Sequence, residues 1–135
     1  MQLEQNKVVG RRFIEEILGK GRFDPLKELT TDEYIDHSLP SGVTPLQSLA
    51  GFRAGFPDSR VSVEGLVAEG DYVVVRWVLH ATNTGDFFGM PATGKPVTLR
   101  GISMYRISEG KMVEGWVEYD QLNLMQQLGV VPQPA

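Results

Sequence analysis

Apolar residues in the first sixty positions recur at helical intervals, and from Arg60 onward they alternate with polar ones. Val9, Phe13 and Ile17 stand four apart with Ile14 and Leu18 beside them, so residues 3–18 predict an amphipathic helix stopped by Gly19 and Gly21. Asp24-Pro25 offers an N-cap and a first-turn proline for a short second helix with Leu26 and Leu29 on its apolar side. Thr44-Pro45-Leu46-Gln47 repeats that signal with glutamine at the capping-box position. It opens a helix through Leu49 and Phe52 to Phe56, ended by Pro57-Asp58.

Val61, Val63 and Val67 begin the alternating part, which breaks at a Glu69-Gly70-Asp71 turn. Residues 72–83, 96–107 and 112–120 predict three further strands, and Leu122, Met125 and Leu128 mark a last helix over 121–128. Helices followed by a four-strand antiparallel meander predict an α+β domain, a cone in which a curved sheet wraps around the N-terminal helices. One domain over 1–130 and a flexible tail at 131–135 account for the chain. The connection Thr84 to Lys95 exceeds the usual hairpin loop of ~2–5 residues. Its Phe87, Phe88 and Met90 are expected to fold over a cavity or meet another subunit.

Composition narrows the partners. The 135 residues suit a single domain. Thirteen basic against seventeen acidic residues, a net charge of −4, argue against a surface that tracks nucleic-acid phosphates. The N-terminus lacks a basic start and an apolar core, and no run approaches the ~18 apolar residues of a membrane helix, so a cytoplasmic protein without a membrane partner is expected. With no cysteine, disulfides, thiolate catalysis and cysteine zinc sites are excluded. No histidine or carboxylate pair has helical metal-ligand spacing, and nucleophile-elbow, phosphate-loop and dinucleotide motifs are absent, so neither metal nor cofactor is expected. Acid–base chemistry remains.

The last strand puts Glu114, Trp116, Glu118 and Asp120 on one face. Two readings of Asp120 stand side by side. It is a pocket acid whose pKa burial would raise, or it is the N-cap of the helix that starts at Gln121. Arg76 sits mid-strand on a face with Tyr72, Val74, Val78 and His80, and its expected partner is Asp120 or Glu118. Such a pair either orients a base or is a structural salt bridge. Arg100, Ile102, Met104 and Arg106 form the matching series on the next strand. His37, within Asp32-Glu33-Tyr34-Ile35-Asp36-His37-Ser38, is placed at a pocket mouth, as a substrate contact or as a structural histidine.

Taken together, Asp36-His37-Ser38, Phe56-Pro57-Asp58, Glu69-Gly70-Asp71, Val75-Arg76-Trp77, Pro91-Ala92-Thr93-Gly94-Lys95, Gly110-Lys111-Met112-Val113-Glu114 with Trp116 and Asp120, and Gln127-Leu128-Gly129 resemble the SnoaL-like polyketide cyclases of the nuclear transport factor 2-like superfamily. The resemblance implies a deep apolar pocket, a homodimer formed through the outer sheet face, and no cofactor. It also implies that Asp120 is the acid/base of an intramolecular aldol ring closure and that His37 is a pocket-mouth histidine. The chain departs from the pattern at Thr82-Asn83, where many relatives carry Thr-His, and His80 lies on the wrong strand parity to replace that histidine.

The reading that follows is a small acid–base enzyme acting on a hydrophobic oxygenated molecule. Asp120, Arg76 and His37 are its catalytic candidates, and Tyr34, His80, Met104, Arg106, Trp116 and Glu118 its substrate-binding candidates. The alternatives are a ligand-binding module of the same fold and an epoxide-hydrolase-like enzyme.

Overall fold

The structure, a computed structural model, describes residues 1–132, so Gln133 to Ala135 of the expected tail lie outside it. Helix α1 (Gln2–Arg12) continues into a π-helical turn at Phe13–Leu18. The wider turn lets the adjacent Phe13 and Ile14, together with Ile17, face the sheet, where all three are buried. A short α2 (Leu26–Leu29) leads directly into β1 (Thr30–Asp36). The Thr30 hydroxyl donates to the Leu26 carbonyl at 2.6 Å across that joint. Helix α2 has no side-chain cap: Pro25, not Asp24, occupies its N-cap position.

Helix α3 (Pro45–Gly55) starts on the expected capping box, with the Gln47 N–H donating to the Thr44 hydroxyl and the Thr44 N–H to the Gln47 side chain. Strands β2 (Arg60–Glu69), β3 (Tyr72–Thr82), β4 (Pro96–Ser108) and β5 (Lys111–Tyr119) form the antiparallel meander, and α4 (Gln121–Leu128) closes the fold.

The sheet differs from the expected four-strand meander by one member. It has five strands in the order β1-β5-β4-β3-β2, with β1 parallel to β5. Strand β1 escapes periodicity because Thr31, Asp32, Glu33 and Asp36 keep a polar residue on both parities. Its pairing with β5 sets Ile35 beside Glu114 and Asp36 beside Gly115.

Burial follows strand parity. On β3 the residues Val73, Val75, Trp77, Leu79 and Ala81 are buried against the helices, and on β4 so are Val97, Leu99, Ser103, Tyr105 and Ile107. Each large apolar side chain moved there from water contributes ~1.5–3 kcal/mol. On the opposite parity Arg76, His80, Arg100 and Ile102 are exposed on the outer face, while Val78 between them is buried.

The loop after β3 is tied down by Asn83, which is buried. Its side-chain amide donates to the carbonyls of Gly55 (3.1 Å) and Gly85 (3.0 Å), and its carbonyl oxygen accepts from the Thr93 N–H (2.8 Å) and hydroxyl (2.9 Å). Asn83 is thus a staple joining the loop to the end of α3. Among the described residues no helix is long and apolar enough to cross a membrane.

Candidate active site

Inside the curved sheet lies a cavity of about 140 Å³, walled chiefly by Phe13, Ile14, Leu49, Phe52, Leu79 and Leu99. Its polar groups include Ser48 from α3, Trp77 from β3 and Tyr119 from β5. Strand β1 and the turn after it supply Tyr34, Asp36 and Ser38, and β4 supplies Ser103 and Tyr105. Among the described residues the lining contains one carboxylate, Asp36, and no arginine.

Asp36 is half-buried at the end of β1, and the Ser38 N–H donates to its Oδ1 at 2.9 Å. This Asx turn fixes the carboxyl group without neutralising it. Burial pushes its pKa above the ordinary aspartate value, partly opposed by the bonds from Ser38 and the charge of His37. Tyr34, two residues earlier on the same strand face, has its pKa pushed far up, first by burial and then by Tyr105 and Asp36. It is a phenol that stays protonated. Its hydroxyl and the Tyr105 ring occupy the space a side chain at position 115 would need, so Gly115 is what lets β1 bring Tyr34 against β5. Deeper in, the Trp77 indole N–H donates to the Ser103 hydroxyl at 3.0 Å, leaving that hydroxyl free to donate in turn.

The catalytic and substrate-binding candidates from sequence fall elsewhere, with one exception. Tyr34 lines the cavity. Arg76, Glu118 and Asp120 share a crevice on the outer face with Arg100. No carboxylate lies within ion-pair distance of Arg76 among the described residues, so its expected salt bridge is not formed. Arg76 is exposed, and a solvated guanidinium needs no partner. Asp120 is also exposed, and its Oδ1 accepts the Asn123 N–H at 3.0 Å, the N-cap alternative for this residue. His80 meets the Thr98 hydroxyl at 3.2 Å near the end of β3, and Met104 lies on the outer face beside Tyr72 and Val67.

His37, Arg106 and Trp116 form an outer-face cluster around Glu114. The Arg106 Nε donates to Glu114 Oε1 at 2.6 Å, and His37 Nε2 lies 2.8 Å from Oε2. These two bonds hold the Glu114 pKa below the usual carboxylate value. The ionised carboxylate can only accept, so His37 carries its proton on Nε2. The imidazole stacks on Trp116 with centroids 4.9 Å apart and planes 23° from parallel.

Sequence reasoning missed Asp36, Ser103, Tyr105 and Trp77 as cavity groups. Two signals could have found them. Tyr34 and Asp36 share a parity once Thr30 to Asp36 is read as a strand, and Trp77, Ser103 and Tyr105 share the parity of the valine-rich face.

Comparison with known proteins converges on one family. The family model for the SnoaL-like polyketide cyclase matches residues 8–128. A solved candidate SnoaL-like polyketide cyclase from Jannaschia sp. CCS1 is 28% identical, with a TM-score of 0.82 over 96% of this chain and 95% of that one. IdmH, a candidate polyketide cyclase from Streptomyces antibioticus, is 26% identical with a TM-score of 0.78 over 93% and 99%. AclR, a candidate hydroxylase from Streptomyces galilaeus, shares the fold at a TM-score of 0.87 and 23% identity over 98% and 86%. No curated protein matches the chain by sequence.

Proposed function

This chain belongs to the SnoaL-like polyketide cyclase family, and from that premise we propose that it is a cofactor-independent acid–base enzyme of the cyclase or isomerase type, with Asp36 as its base. The observation that carries this reading is a single carboxylate, half-buried and raised in pKa, set in an apolar cavity beside phenols that stay protonated. Asp36 takes a proton from the carbon next to a substrate carbonyl, and the enolate oxygen that forms accepts a hydrogen bond from Tyr34 or Ser103. In a cyclase the enolate carbon then bonds to a second carbonyl carbon. The proton on Asp36 passes to the new alkoxide, restoring the carboxylate. In an isomerase it returns to a different carbon of the enolate.

The test is turnover of a panel of linear β-keto esters and β,γ-unsaturated ketones by the protein and by Asp36→Asn. A loss of about 10²–10⁴ in kcat/KM is expected from removing the base. Full turnover by Asp36→Asn would end this assignment in favour of Asp120 with Arg76, the position that the family resemblance selects. Binding without turnover in all forms would support the ligand-binding module. That second reading is favoured by the Asx turn, which gives the Asp36 carboxylate a structural task of its own.

The proposal includes a cytoplasmic homodimer. Val67, Tyr72 and Ile102 are 63%, 41% and 49% exposed on the outer face, an apolar area that a second copy would cover. Around them stand Arg76, Arg100 and Arg106 on β3 and β4 and Glu114, Glu118 and Asp120 toward β5, a layout that a two-fold axis would pair with itself. Ile102→Arg is expected to turn a dimer into a monomer in sedimentation velocity. A monomeric parent protein would remove this part of the reading.

A further inference from the structure

One side of the cavity is lined by a contact that combines two locally unfavourable residues. Phe87 and Met90 exchange both backbone hydrogen bonds (2.9 and 3.0 Å), with Phe88 and Gly89 between them at φ of 46° and 84°. Two central residues at positive φ are the type I′ pattern, which favours Asn-Gly or Asp-Gly and disfavours an aromatic residue at its first position. Phe88 gains no core burial in return, being 65% exposed, yet its ring lines the cavity.

The ring rests on Gly51, in the interior of α3, where a helix gains from almost any other residue. A Cβ on Gly51 would stand 2.7 and 2.8 Å from the Phe88 ring atoms, so the glycine is the seat of the ring. The turn beneath is held from the other side. Phe87 is buried edge-on against Phe52 and Phe56, with centroids 5.7 and 5.1 Å away, and Asn83 staples the loop. Strain kept at a contact of this kind points to a role beyond folding.

We propose that Phe88, seated on Gly51, is the size-determining residue of the cavity. It limits the ligand to a single ring bearing an oxygen function directed at Asp36 and Tyr34. The volume supports this: a cavity of about 140 Å³ matches the ~150 Å³ of an apolar cavity that holds benzene. On this proposal a second fused ring needs the space that the Phe88 ring takes. The inference rests on the reading of this cavity as the substrate site.

Phenol and 2-naphthol, one oxygen function on one or two rings, are the probes, with binding followed by calorimetry. The parent protein is expected to prefer phenol at least tenfold. Phe88→Asn installs the residue the turn favours, so its thermal midpoint should equal or exceed the parent's while the preference shifts at least tenfold toward 2-naphthol. Gly51→Ala fills the seat from the helix side and should produce the same shift with Phe88 intact. Phenol binding with an unchanged preference in both variants overturns the size gate and leaves the acid–base reading standing. Failure of both probes to bind any of the three proteins overturns the gate together with the cavity as ligand site. Loss of turnover in Asp36→Asn is independent of either result.

Discussion

The two faces of the sheet are built from the same strands and share almost nothing else. The inner face takes Trp77, Leu79, Leu99, Ser103 and Tyr105, with each polar atom partnered or set at the cavity wall. The outer face takes Arg76, Arg100, Glu118 and Asp120 in one open crevice and the His37-Glu114-Arg106 cluster in another place. Charge is plentiful outside and scarce inside. Basicity follows the scarcity, because a carboxylate's pKa rises where its surroundings solvate it poorly. Burial raises the pKa of the half-buried Asp36 above the ordinary aspartate value.

The largest effect that can break this comparison is on turnover. Exchanging the amide for the carboxylate on each face in turn, Asp36→Asn is expected to lose about 10²–10⁴ in kcat/KM. Asp120→Asn should stay within a few fold and melt like the parent, since asparagine caps a helix as well as aspartate does. Asp120→Ala should cost about 0.5–2 kcal/mol in urea unfolding, again without loss of turnover beyond the unfolded fraction. Reversed results would move the active site to the outer face.

A smaller effect, on stability, sharpens the same contrast. Ser103→Ala leaves the buried Trp77 indole N–H without its acceptor and is expected to cost about 1–3 kcal/mol. Arg76→Ala, one row away on the opposite parity, removes an exposed side chain with no ion pair among the described residues and should lie within about 0.5 kcal/mol of the parent. Urea unfolding of the two variants measures the difference directly.

Parity explains how much of this was legible in the sequence. Alternation separates Trp77, Ser103 and Tyr105 from Arg76, Ile102 and Glu118 without structural help, and the meander, the Thr44 capping box and the last helix follow from the same local signals. Alternation does not say which set faces the helices. Trp116, the large aromatic residue of the polar set, lies half-buried on the outside against the His37 imidazole. Strand β1 was illegible for a different reason. It pairs in parallel at the sheet edge with a register shift between Thr30 and Ile35, so neither a hairpin turn nor a clean apolar stripe announces it. Asp36, the one cavity carboxylate, sits on that strand. The tertiary pairing with β5, and not any local pattern, turns it inward.

The smallest effect is a pH dependence whose sign differs between the faces. Burial raises the folded-state pKa of Asp36, so the native state holds a proton that the unfolded chain has already released. Its contribution to stability is therefore greatest at low pH and falls as pH rises from the ordinary aspartate value through the raised one. Glu114 is the opposite case: Arg106 and His37 lower its folded-state pKa, and the gain is present above the ordinary glutamate value and lost as pH falls through the lowered one. Relative to the parent, Asp36→Asn should become more stable as pH increases from acid to neutral. Glu114→Gln should become less stable over the same range, by a small amount because the outer pair is screened by solvent. Urea unfolding at several pH values reads both slopes. If the two slopes share a sign, either Asp36 is solvated or Glu114 is not held by its partners, and the electrical difference between the two faces of the sheet disappears.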